Sequence, residues 1–299
     1  MSLVIVGSLA FDTIETPQGR KEGEVGGSAT YGALAASYFT SPGIIGVIGE
    51  DFPIEVIEFF KNRKINLEGL EKKKGKTFHW EGRYGHDPNH RITLKLEMNV
   101  FQSFRPKIPP AYKSPDILFL ANIDPVIQEE ILKQSGKPGL VAMDTINHWI
   151  SNERQALLKV MKKVDLFFAN EEEAKLLTED INLIKAGKKI LKMGPKLTVI
   201  KKGEHGVLAV GDGILFGSLA HPCEEVIDPT GAGDCFAGGF LGYVDKAGRL
   251  GEKEIRRAAV YGSVMASFAI EDFGINRLKN LKKEEISRRF TDFRKLVSF

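Results

Sequence analysis

The sequence is poor in cysteine, in long apolar runs and in net charge, and each shortage removes a class of protein. Two cysteines, Cys223 and Cys235, cannot build a disulfide framework and lack metal-ligand spacing. A reducing, cytoplasmic setting is the expectation. No apolar run reaches the roughly 18 residues that a membrane span needs. Residues 3–7 form a short apolar run that turns into Gly-Ser-Leu-Ala-Phe-Asp, the pattern of a strand and not of a signal peptide. Lys and Arg number 42 against 39 Asp and Glu, a net charge of +3. Phosphate-tracking proteins concentrate positive charge, so neither a nucleic-acid nor a membrane partner is expected. The histidines show no metal spacing, and there is no repeat, low-complexity tract or Pro-rich linker. Lys72-Lys73-Lys74 reads as a solvated turn.

What is present is a chain of 299 residues, 42% hydrophobic and 27% charged, long enough to bury a core without staples. Short apolar runs at 3–7, 43–49, 116–121, 139–144, 165–169 and 197–201 read as strands covered on both faces. Helical patterns at 28–38, 52–62, 126–134, 152–162, 171–177 and 182–193 lie between them. That alternation predicts an α/β fold, a doubly wound and mostly parallel sheet with helices on both faces. After Gly203 come short strands, a Gly-rich helix from about Ala232, a long helix over 253–270 and a charged terminal helix over 283–296. Residues 77–84 and 91–97 instead show partial period-2 alternation around the turn-rich connector 85–90. With an early strand near 23–25, they form an antiparallel excursion too small for its own core. It reads as a lid or a partner-binding sheet.

The stretch Asp228-Pro229-Thr230-Gly231-Ala232-Gly233-Asp234-Cys235-Phe236 carries the most chemistry. Gly231 and Gly233 remove side chains where a loop enters a helix, so successive N–H groups can point at one spot. The helix N-terminus adds about half a positive charge there. Such a nest suits a phosphoryl group gaining charge in flight. Asp234, in the first turn, is either a partner of the helix dipole or a base that takes a proton from an attacking hydroxyl.

This stretch resembles the C-terminal signature of the ribokinase-like (PfkB) carbohydrate kinases, and the resemblance runs over nearly the whole chain. Gly26-Gly27-Ser28-Ala29-Thr30-Tyr31 stands where that family has its N-terminal Gly-Gly signature. Gly49-Glu50-Asp51 matches its short acidic turn, Asn170-Glu171-Glu172-Glu173 its Asn-x-x-Glu motif, and Lys202-Gly203-Glu204-His205-Gly206 its nucleotide loop. The resemblance implies a single ribokinase-like kinase domain over residues 1–299, with lid strands from about 20–26 and 75–98. It implies that Asp234 activates the acceptor hydroxyl and that Gly231, Ala232 and Gly233 form the anion hole. Asn170 and Glu173 would organise Mg²⁺ around ATP, with Glu173 acting through water. Lys201, Gly203 and Gly206 would lie along the nucleotide, with Gly274 near the adenine. Asp228 and Thr230 sit where many members bind a monovalent cation such as K⁺. Asp12, Gly26, Gly27 and Tyr31 would bind the acceptor.

Tyr31 stands where sugar-binding members often have Asn, and Lys201 where Thr is common. On the residues alone, Asn170 and Glu173 also read as a capped helix start. The implied activity is ATP- and Mg²⁺-dependent phosphorylation of a small sugar or polyol. The alternatives are a nucleoside kinase, with Tyr31 or Phe101 stacking on the base, and a non-catalytic ATP- or sugar-binding regulator on the same scaffold. Arg83 and Arg91 are lid cations that could offset the charge of a phosphorylated acceptor. Lid strands with open edges also suggest a homodimer, although Lys95 and Glu97 would blunt that edge.

Overall fold

The computed structural model describes residues 2–297. Its strands are β1 (Leu3–Val6), β2 (Ala10–Thr16), β3 (Gly19–Gly26), β4 (Gly43–Ile48), β5 (Asn66–Lys72), β6 (Phe78–Tyr84) and β7 (Arg91–Glu97). They continue with β8 (Ile117–Leu120), β9 (Leu140–Met143), β10 (Leu166–Asn170), β11 (Leu197–Lys201), β12 (Val207–Gly211) and β13 (Ile214–Ser218). The helices are α1 (Ser28–Ala36), α2 (Ile54–Asn62), α3 (Pro125–Gln134), α4 (Asn147–Asn152), α5 (Arg154–Met161) and α6 (Glu171–Thr178). The remaining ones are α7 (Leu183–Leu191), α8 (Ala232–Ala247), α9 (Glu252–Ala269), α10 (Asn276–Asn280) and α11 (Lys283–Leu296).

Nine strands form one sheet in the order β13-β12-β11-β10-β9-β8-β1-β4-β5. It is parallel from β5 to β11, and β12 and β13 add antiparallel strands at one edge. The apolar runs have no polar face because both faces are covered. In β1, Leu3 and Ile5 join one core layer with α1, α8 and α9, while Val4 and Val6 join the opposite layer with α3, α5 and α7. In β8, Phe119 belongs to the first layer and Leu118 and Leu120 to the second. The expected doubly wound sheet is what these residues build.

The lid is a separate four-stranded sheet in the order β3-β2-β6-β7, larger than expected and not the antiparallel excursion read from the sequence, because its central pair β2–β6 is parallel while β2–β3 and β6–β7 are antiparallel. Strand β2 is the addition, and it corrects the sequence reading of Asp12 as part of a turn after β1. Residues 10–16 mix polar and apolar side chains on both faces, so their alternation is masked. Their strand character comes from pairing with β3 and β6. The strand β5 and the short helix α4 were also unforeseen, whereas β11, β7 and α11 have the bounds read from sequence. Lys72 closes β5, and Lys74 lies in the exposed bend after it. Among the described residues, no helix is long and apolar enough to cross a membrane.

Candidate active site

The floor of the site is built at the carboxyl ends of neighbouring parallel strands, where open α/β sheets bind ligands. Asp144 follows β9, Asn170 ends β10, and Lys201 ends β11 in register with Asn170. The Lys201 ammonium lies 2.7 Å from Asp144 Oδ2, and Asp144 Oδ1 accepts the N–H of Thr145 at 2.9 Å. Asn170 and Glu173 close a capping box: Glu173 N–H donates to Asn170 Oδ1 at 2.8 Å, and Asn170 N–H donates to Glu173 Oε2 at 2.6 Å. The capped-helix reading is therefore realised, and it holds a buried carboxyl beside Lys201. Burial raises the Glu173 pKa to about 7; Lys201 opposes that rise and Asp144 reinforces it. Burial works against the charge of Lys201 too, but Asp144 and Glu173 outweigh it and hold the pKa above the ordinary value.

The second wall is the start of α8. Its N-cap, Gly231, has φ 75°, and the Tyr31 ring lies where a β-carbon would project, so two requirements meet in one glycine. Gly233 faces Lys201: a β-carbon there would sit 3.1 Å from the ammonium. Ala232 N–H donates to Pro229 O at 3.3 Å, so the helix dipole, the N–H groups of Gly233 and Asp234 and one ammonium are what converge on one point, an anion site. Asp234, three residues beyond the N-cap, is raised to about 7 by burial and by Asp144, with Lys201 and Arg91 opposing. Its carboxylate has no hydrogen-bonding partner among the described residues.

The lid supplies the residues expected to meet the acceptor. Asp12 on β2 is only 4% exposed, and it fits because Gly26 has no side chain: a β-carbon there would lie 1.9 Å from Asp12 Oδ2. Gly27 turns the chain from β3 into α1 against the Ser8 backbone. Burial pushes the Asp12 pKa well above the carboxylate range; Asp228 and Asp234 add to the shift and Arg91 opposes it. Like Asp234, Asp12 accepts no hydrogen bond from a described residue. Its register partner on β6 is Trp80, and paired residues share a face, so the indole stands beside Asp12. The ring lies over Gly82, and its Nε1 donates to Thr93 Oγ1 at 3.2 Å.

Other expected positions separate from this centre. Gly203 and Gly206 shape the turn after β11, with Lys202 N–H donating to Gly206 O at 2.8 Å. Asp228 clips the loop before α8, accepting the N–H of Thr230 at 2.8 Å and that of Gly274 at 2.9 Å. Gly274 therefore sits by Asp228 and Glu24 of the lid. Tyr31 is 1% exposed with its ring under Gly231, so it offers no face to a ligand. Phe101 stacks on Phe104 in the core and offers none either. Of the two lid cations, Arg83 is held by Glu15 at 2.9 Å. Sequence reasoning missed Asp144 and Trp80. The signal for Asp144 was an acid ending an apolar run; for Trp80 it was an aromatic in a lid strand.

A model of the pfkB family carbohydrate kinases matches residues 2–280. The chain belongs to the PfkB family. A relative from Thermococcus kodakarensis named cytidine kinase is 33% identical over 250 residues, covering 81% of this chain and 87% of its own length. The structure of Burkholderia thailandensis nucleoside kinase with inosine superposes with a TM-score of 0.78 at 21% identity, covering 98% and 97% of the two chains. A putative ribokinase II from E. coli, solved with ATP and Mg²⁺, gives a TM-score of 0.75 at 16% identity, covering 98% and 100%. This PfkB-family kinase is therefore a ribokinase-fold phosphotransferase with a hydroxyl acceptor, and sugars and nucleosides are both within its family's range.

Proposed function

We propose that the chain is an ATP- and Mg²⁺-dependent nucleoside kinase. The observation that carries the reading is the pairing of Asp12 with Trp80 on the cleft side of the lid. A buried carboxyl without a protein partner among the described residues can hydrogen-bond two vicinal hydroxyls, as on a ribose. The half-buried indole beside it, locked by Thr93, is a platform on which a flat heterocycle stacks. A bare sugar or polyol uses the first group and not the second. The cytidine kinase and nucleoside kinase names of relatives point the same way.

In this reading Asp12 orients the ribose so that one hydroxyl faces Asp234. Asp234 takes the hydroxyl proton as the oxygen attacks the γ-phosphorus, and the bond to the β-bridging oxygen breaks. The N–H groups at Gly231 and Gly233, with the Lys201 ammonium, stabilise the charge on the phosphoryl oxygens, and that of Ala232 joins them only if it leaves Pro229 O. Mg²⁺ supplies further charge neutralisation on the phosphates. Among the described residues no cluster would hold a metal unaided, which fits a cation that keeps waters and leans on phosphates plus a nearby carboxylate such as Glu173. A non-catalytic regulator has no use for an uncommitted carboxylate at the anion nest, so the regulator reading is disfavoured. The lid also supports a homodimer: β7 is an edge strand open on one side, with Ile92 and Leu94 exposed, although Lys95 and Glu97 lie along it.

The test is ADP release with ATP and Mg²⁺ across nucleosides, sugars and polyols. Turnover should be best with a nucleoside. Trp80→Ala should raise the nucleoside KM about tenfold, far more than the KM for free ribose, and Asp12→Ala should lower kcat/KM for both. Turnover confined to sugars, with Trp80→Ala indifferent, refutes the nucleoside reading.

A further inference from the structure

Arg91 opens β7, and the register sets it directly opposite Tyr84. Residues paired across an antiparallel ladder project to the same face. The face of Tyr84 is fixed: its hydroxyl receives Thr230 Oγ1 at 3.3 Å, next to the anion nest, and its ring packs with Ile14 and Phe273. Arg91 therefore projects on the cleft side of the lid. Arg83, Arg20, Lys95 and His79, on the other face, are all engaged by lid carboxylates. Arg91 makes no hydrogen bond or ion pair with a described residue.

The segment just before it is fastened to the main domain. Asn89 Nδ2 donates to Glu204 Oε2 at 2.8 Å, and His90 Nδ1 lies 3.4 Å from Glu172 Oε1. The Asn89 side chain fills the space where Gly203 would carry a β-carbon. Glu204 and Gly203 belong to the turn after β11, and Glu172 to the first turn of α6. The lid tip is thus latched to the nucleotide side of the cleft, although β2 of the same sheet carries the acceptor acid Asp12. The Arg91 charge also opposes the raised pKa values of Asp12, Glu173 and Asp234.

We propose that Arg91 is a catalytic residue delivered by the lid, its guanidinium contacting the γ-phosphoryl group during transfer, with Asn89 and His90 positioning it. This rests on the kinase reading above. In the transfer, Asp234 takes the hydroxyl proton, the new O–P bond forms, and ADP leaves with the electron pair of the old one. Negative charge spreads over the three equatorial oxygens on the way. Lys201 and the helix nest meet that charge from the main domain. Arg91 meets it from the lid, with planar N–H groups that match two oxygens at once.

The experiment compares Arg91→Ala, Arg91→Lys and Asn89→Ala with the wild type, using whichever acceptor the wild type turns over. Arg91→Ala should lower kcat by roughly 10²–10³, with acceptor KM and ADP affinity within about threefold. Arg91→Lys should recover part of that loss, and Asn89→Ala should lose less than Arg91→Ala. The wild type should form a slowly dissociating complex with ADP, Mg²⁺, aluminium fluoride and acceptor, and Arg91→Ala should not. An Arg91→Ala kcat within threefold of wild type, or a loss confined to acceptor KM, overturns the proposal. If the wild type phosphorylates only sugars, the nucleoside assignment fails by itself and the Arg91 comparison is read on the sugar.

Discussion

The strand-end floor and the lid meet at one cleft but are built in opposite ways. On the floor, each charged group has a partner: Lys201 with Asp144, and Glu173 with the backbone of Asn170. On the cleft side of the lid, Asp12 and Arg91 have no hydrogen-bonding partner among the described residues, and Trp80 is only half-buried. The floor is preorganised, so its charges need no rearrangement when a phosphate arrives. The lid keeps its polar groups unsatisfied, a cost in stability that a substrate relieves on binding. Asp234, on the α8 wall, resembles the lid in behaviour, since its carboxylate also lacks a partner among the described residues.

The sharpest way to break this division is Asp234→Asn. It keeps the shape and removes the base, so kcat should fall by roughly 10²–10⁴ while ATP binding changes little. The same variant tests the electrostatics. A carboxyl raised to about 7 in the folded state holds a proton that the unfolded chain releases near pH 4. Its contribution therefore destabilises the fold progressively between those values as pH rises. Asp234→Asn should raise the melting temperature at pH 8 and leave it nearly unchanged at pH 4. Equal effects at both pH values would mean that the carboxyl is not perturbed by its site.

Lys201→Met attacks the floor. The wild-type kcat/KM should decline below about pH 7, as Asp234 becomes protonated. Lys201 opposes the rise of both Asp234 and Glu173, so its loss should move that acidic limb to higher pH and lower kcat/KM by about 10². A pH–rate profile checks both; a limb that stays in place removes Lys201 from the electrostatic account. A smaller effect is expected from Glu173→Gln. The amide can still accept the Asn170 N–H, so the cap survives, while the Mg²⁺ concentration for half-maximal rate should rise. Unchanged Mg²⁺ dependence would leave Glu173 as a cap alone. The smallest catalytic effect is expected from Leu94→Lys on the lid edge. It should shift a dimer toward monomer in sedimentation while kcat stays within about twofold. A monomeric wild type would refute the dimer at once.

The floor was legible in the sequence because it consists of local devices. Asn170 with Glu173 three residues on and Gly-Ala-Gly-Asp at a helix start each announce themselves within a few residues, whereas Asp144 was missed because its pairing with Lys201 crosses 57 positions of the chain. The lid was read only in part. Strand β2 shows no clean alternation, because Asp12 occupies a position that faces other protein atoms, and only its neighbours β3 and β6 make it a strand.

What the sequence determined by itself is the alternation of elements and the glycine-rich helix start that carries Asp234, since backbone geometry and capping act over one or two turns. What the tertiary structure alone decided is which aromatic meets the cleft. Tyr31 follows the Gly-Gly signature and still lies under Gly231, because α1 packs on α8. Trp80 lies far from any motif and stands beside Asp12, because β6 pairs in parallel with β2. A side chain's exposure is set by what packs across from it, and those partners lie distant in the chain.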